Sequence, residues 1–118
     1  MKQKSSITSL IIVISIFVLA NACKKDDTGT PVCDGSMPTY EVEIQSILNE
    51  YCTNLACHGL GSIYGDFTSY NGISGNLFNG SFERQVLIDK TMPRGSSFLT
   101  QAELNLIRCW ADNNYPRN

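Results

Sequence analysis

Cys52-Thr53-Asn54-Leu55-Ala56-Cys57-His58 is the part of this chain from which the rest can be read. It holds two thiols with four residues between them, and the only imidazole of the 118 residues follows directly on the second. Upstream, Ile44, Ile47, Leu48 and Tyr51 recur at i, i+3, i+4 and i+7, which is one apolar face of a helix. Thr39 is placed to cap that helix, which begins at Tyr40. Glu41 and Glu43 sit in its first turn, where the helix dipole favours carboxylates. The helix delivers the chain into Cys52. Downstream, Gly59 and Gly61 end the segment and let the chain turn.

Farther on the pattern is irregular. Asp66 to Ser74 reads as one short helix, and Gly72, Gly75 and Gly80 break the region into short pieces. Ser81 to Ile88 reads as another short helix, with Phe82, Val86 and Leu87 pointing inward. Thr91-Met92-Pro93-Arg94-Gly95 is a loop, because a proline pushes the residue before it toward extended geometry. Thr100-Gln101-Ala102-Glu103 is a capping box. It opens a last helix over about 101–113, with Leu104, Ile107, Trp110 and Ala111 as its apolar face. Asn113, Asn114 and Pro116 stop it. Trp110 reads as helix-packing core. The elements are all helical and no internal repeat is visible, so the expected class is all-α.

A cysteine pair ending in Cys-His is the ending of a covalent haem-attachment site, whose usual spacing is C-x-x-C-H. Each thiol adds across a haem vinyl group, and the adjacent imidazole reaches the iron. Here four residues separate the cysteines instead of two. The vinyl groups fix only the distance between the two sulfurs, so two extra residues can bulge outward while the Cys57-His58 step is unchanged. With an amphipathic helix before it, a glycine-rich middle, a Met-Pro-x-Gly loop and a capped helix carrying tryptophan after it, the chain resembles a small mono-haem c-type cytochrome domain. The variant is class I-like with C-x4-C-H, and the resemblance covers Thr39 to Tyr115.

That resemblance implies a small cytochrome c-like fold, with crossing N- and C-terminal helices around a haem cleft closed by the methionine loop. Cys52 and Cys57 would then form the thioethers of one covalent haem c. His58 would be the proximal iron ligand and Met92 the distal one. Filling both axial positions implies a one-electron carrier working with redox partner proteins rather than an enzyme. A haem peroxidase would need an open distal position and a distal histidine, and this chain has one histidine. Arg84 and Arg94 are within the family's scope as propionate partners, but its pattern fixes neither, and both read as solvated side chains.

The N-terminus is a separate matter. Lys2 and Lys4 precede an uncharged apolar run from Ile7 to Ala20, and small residues lead up to Cys23. This is an export-signal layout, and the run is short of the ~20 apolar residues a spanning helix needs. Leu19-Ala20-Asn21-Ala22-Cys23 resembles a bacterial lipoprotein box, which implies lipidation of Cys23 and attachment to a membrane. Lys24-Lys25-Asp26-Asp27 resembles the tag of outer-membrane lipoproteins, on the periplasmic or the cell-surface face. The expected organisation is a signal peptide at 1–22, a flexible tether at 23–38 and a haem domain at 39–118. Without Lys2 and Lys4, seven basic side chains face eleven acidic ones, a formal charge of −4. No basic stripe exists for a nucleic-acid backbone to engage.

With Cys23 assigned to lipid, Cys33, Cys52, Cys57 and Cys109 remain. Export places them where free thiols are disfavoured. Two partitions make chemical sense. In one, Cys52 and Cys57 hold haem and Cys33 pairs with Cys109. In the other, all four form two disulfides, and the protein is a cofactor-free, disulfide-stapled binding lipoprotein. Zinc is a poor third, because adjacent Cys57 and His58 rarely share one tetrahedral ion and no second histidine exists.

Overall fold

The computed structural model describes residues 29–95 and 98–118. The expected signal peptide at 1–22, Cys23 and the expected tag at 24–27 lie outside the described residues. Four helical elements follow. α1 opens as a π-helical turn, Tyr40–Ile44, and continues as the α-helix Gln45–Tyr51. α2 is Tyr70–Phe78. α3 is Ser81–Glu83, continued by a π-helical turn, Arg84–Ile88. α4 is Gln101–Asp112. No strand occurs among the described residues, in keeping with the all-α expectation.

α1 and α4 build the centre of the core. Ile44, Ile47 and Leu48 are buried on the face expected of α1, Tyr51 is half-buried, and Tyr40 joins them. On α4, Leu104, Ile107 and Trp110 are buried together with Cys109. The opening turn of α1 packs on α4, and the Tyr40 and Trp110 rings lie 6.2 Å apart. The capping box of α4 is closed in both directions. Thr100 Oγ1 accepts from the Glu103 amide at 3.3 Å, and Glu103 Oε2 accepts from the Thr100 amide at 2.7 Å.

The start of α1 differs from the expectation. The helix begins at Tyr40, but the Thr39 side chain makes no cap bond and its hydroxyl is buried without a partner. Glu43 Oε2 accepts from the Thr39 amide at 2.8 Å. The carbonyls of Pro116 and Arg117 accept from the amides of Tyr40 and Glu41, each at 3.0 Å. Main-chain oxygens from the C-terminal tail thus satisfy amides that a helix start leaves bare. Pro116 also accepts from Trp110 Nε1 at 2.9 Å, so one carbonyl ties the tail to both helices.

The middle differs as well. The helix forms at Tyr70–Phe78, not over Asp66 to Ser74. Asp66 instead turns its carboxylate onto the Thr68 amide at 2.9 Å, which favours a turn, and Ser69 caps α2 by accepting from the Gly72 amide at 3.1 Å. Gly72 and Gly75 lie inside α2 and do not break it. A Cβ at Gly72 would stand 1.9 Å from the Asp66 carbonyl oxygen, so glycine is there for a close backbone approach. Gly80 does separate α2 from α3. α3 buries Phe82, Val86 and Leu87 as expected, and its π turn packs on α4.

The described part of the tether, residues 29–38, is fastened to α4. Val32 donates its amide to Asn105 Oδ1 at 3.0 Å, Asn113 Nδ2 donates to the Ser36 carbonyl at 3.2 Å, and Cys33 is disulfide-bonded to Cys109 with their Cα atoms 4.6 Å apart. The bond joins positions 76 residues apart, and in the chain-entropy account a loop of that size stabilises by about 4 kcal/mol.

Candidate functional site

A cleft of about 580 Å³ lies between the end of α1, the loop that follows it, α3 and the Met92 loop. That volume is in the ~300–1,000 Å³ range of small-molecule and cofactor sites. Phe67, Phe82 and Val86 give it apolar walls, and Cys52, Cys57, His58 and Met92 all line it. The four residues singled out in the sequence are therefore brought to one place.

Cys52 is the residue on which α1 ends, and its amide donates to the Leu48 carbonyl at 2.8 Å. The residue is 8% exposed, and burial, with a smaller contribution from Cys57, pushes its thiol up to about 12. Cys57 is half-buried, and neither cysteine is in a disulfide. The wider spacing is taken up by a closed turn. The Cys57 amide donates to the Asn54 carbonyl at 2.9 Å, and the His58 amide returns to the Cys52 carbonyl at 3.0 Å. Asn54, Leu55 and Ala56 are exposed, Leu55 at 97%, so the extra residues bulge into solvent.

His58 is held twice. Its Nδ1 lies 3.2 Å from the Gly65 carbonyl oxygen. A carbonyl can only accept, so Nδ1 is the donor of this contact, and a neutral imidazole held this way presents its lone pair at Nε2. Gly65 has φ +103°, a conformation that favours glycine. Phe67 stacks on the imidazole with ring centroids 3.9 Å apart and planes 8° from parallel. The Phe67 amide donates to the His58 carbonyl at 2.9 Å, and its own carbonyl accepts from the Tyr40 hydroxyl at 3.3 Å.

Met92 is half-buried and packs against the core. The Gln85 carbonyl holds its loop, accepting from the Thr91 amide at 2.9 Å and the Met92 amide at 3.2 Å. The irregular π turn of α3 thereby positions the loop. Cys33 and Cys109 do not line the cleft. With Asp34 they form the one metal-ligand grouping among the described residues, and the disulfide occupies both sulfurs.

Phe67 and Gln85 line the cleft without being expected there, and Arg94, which reads from the sequence as a solvated side chain, lines it too. Phe67 fell inside an expected helix, and its one signal was a bulky aromatic directly after a Gly-Asp turn. The donor set fits haem c. Two unpaired thiols suit vinyl addition, an imidazole nitrogen and a thioether sulfur suit the two faces of iron, and the apolar walls suit a flat porphyrin. No protein family, curated protein or solved structure matches this chain.

Proposed function

We propose that this protein is a small one-electron carrier that holds one haem c covalently in this cleft, within a cytochrome c-like fold. The observation that carries the reading is that Met92, 34 positions beyond His58, lines the same cleft as Cys52, Cys57 and His58. Packing of the first helix on the last, and a methionine loop at the cleft, support the fold assignment. The chain would be exported and anchored in the bacterial envelope, as an outer-membrane lipoprotein, through lipid on Cys23. Its partners would be redox proteins.

Cys52 and Cys57 would hold the porphyrin through thioethers, and His58 and Met92 would hold the iron. Bound there, haem iron supplies a one-electron couple whose potential the methionine sulfur raises. The rest is done by the chain. The Gly65 carbonyl fixes the tautomer and rotation of His58, as partners of metal-binding histidines do. Phe67, Phe82 and Val86 exclude water and lower the local dielectric. The hold of Gln85 on the Met92 loop restricts its movement, which keeps reorganisation between oxidation states small.

The test is to express the protein with a haem-ligation system and record its mass and visible spectrum. A covalent haem adduct with a sharp reduced α-band is the expected result. A colourless product with Cys52 and Cys57 joined to each other would favour the cofactor-free binding lipoprotein. Met92→Ala should abolish the weak sulfur-to-iron band, and its persistence would remove Met92 as ligand. His58→Ala should destroy low-spin ligation.

A further inference from the structure

The chain has four arginines, and three of them are matched to carboxylates. Arg84 pairs with Asp89 at 3.2 Å, Arg108 with Glu83 at 3.0 Å and also with Asp112, and Arg117 with Glu41 at 2.9 Å. Arg94 forms no ion pair among the described residues, and it is the arginine that lines the cleft, just past Met92 and Pro93. Acidic side chains outnumber basic ones in this protein, so an unmatched guanidinium is not forced by a shortage of partners.

We infer that Arg94 is the carboxylate-binding subsite of the cleft. On the haem reading, on which this inference rests, the carboxylate is a porphyrin propionate. A guanidinium presents five N–H donors in a planar fork that matches a carboxylate bidentately. Arg94 is exposed, so it stands at the rim, where a propionate can keep part of its hydration while gaining charge-assisted hydrogen bonds. The Gln85 carbonyl holds the chain at Thr91 and Met92, two residues before Arg94. The sequence gives no reason to separate Arg84 from Arg94. The structure separates them, since Arg84 is engaged with Asp89 and does not line the cleft.

The experiment uses the protein prepared without haem ligation, titrated by fluorescence with metal-free protoporphyrin IX and with its dimethyl ester. Arg94→Gln should weaken binding of the free acid roughly tenfold, the scale of one exposed charge-assisted hydrogen bond, and leave the diester unchanged. Arg94→Lys should recover part of the loss, and Arg84→Gln should change neither ligand. An equal loss for acid and diester, or no loss for the acid, would overturn the assignment while leaving the cleft a porphyrin site. Failure of the native chain to bind either porphyrin would overturn the cleft reading, and the role of Arg94 with it.

Discussion

Phe67 lies face to face with His58, with ring centroids 3.9 Å apart and planes 8° from parallel. The stack fixes the plane of the imidazole, and the Gly65 carbonyl on Nδ1 fixes its rotation. Phe67 is itself tied down, through its amide to His58, its carbonyl to Tyr40 and an edge-on contact with Phe82 at 6.1 Å. The histidine is thus oriented by the polypeptide alone. Any metal it meets finds the ligand already in place, at a reduced entropic cost of ordering.

Phe67→Leu should release that orientation. In the haem-free protein, two-dimensional NMR should show the His58 ring protons shifted upfield by the Phe67 ring current. The shift should vanish in Phe67→Leu and persist in Phe67→Tyr. Loss of the buried aromatic should also lower stability by about 1–2 kcal/mol in denaturant unfolding. Identical His58 shifts in all three proteins would mean that the stack does not form.

Cys52 makes the haem-free protein sensitive to alkali. Burial pushes its thiol from an ordinary 9.0 up to about 12, so the folded chain keeps a proton that the unfolded chain releases near 9. Stability linked to the neutral thiol is whole below pH 9 and is lost as pH rises toward 12, at about 1.4 kcal/mol per pH unit. The window from about 9 to 10 is weighted toward Cys52, because Tyr40, Tyr51 and Tyr115, all raised by burial, start from 10.0 and contribute mostly above that window. Urea unfolding across this window should show the slope in the native chain. Cys52→Ala should lack it, as should protein in which Cys52 is a thioether. The same slope in Cys52→Ala would assign it elsewhere.

Much of this fold can be read directly, because its helices obey local rules. The faces of α1 and α4 follow the apolar period, and the capping box of α4 is written in four consecutive residues. The cleft set is legible because Cys-His and Met-Pro are chemically uncommon neighbours. Part of what escapes the sequence is decided by distant chain, and part by a choice between two local bonds. The α1 amides meet carbonyls 76 positions away, which no local pattern announces. Asp66 could begin a helix or close a turn, and its bond to Thr68 decides for the turn. Phe67 becomes a site residue because that turn brings it back over His58.

Two glycines of α2 should respond oppositely to alanine. Gly75 has nothing within 4 Å of an added Cβ, so Gly75→Ala should stabilise by roughly 0.5–1 kcal/mol through helix propensity. At Gly72 the same methyl would meet the Asp66 carbonyl at 1.9 Å, and the 66–69 turn must move to admit it. Gly72→Ala should lower stability by about 1–3 kcal/mol, the usual range for overpacking. Thermal unfolding of the two variants decides the matter, and a rise in Tm for both would show that the turn yields freely.

The C-terminal tail should matter through its backbone rather than its charge. Arg117 pairs with Glu41 at 2.9 Å, but both side chains are about half exposed, and such pairs contribute ~0–1 kcal/mol. The main-chain oxygens do more, since Pro116 accepts from Tyr40 and Trp110 while Arg117 accepts from Glu41. Removing them leaves the Trp110 indole N–H without its acceptor inside the core and bares the α1 amides. Deletion of residues 116–118 should therefore cost about 2–4 kcal/mol, on the scale of one unsatisfied buried donor and a lost helix cap. Arg117→Ala, which keeps every one of these carbonyls, should cost under about 1 kcal/mol. Unfolding curves of the two variants separate the contributions, and equal losses would show that the ion pair, not the carbonyl cap, fastens the tail to α1.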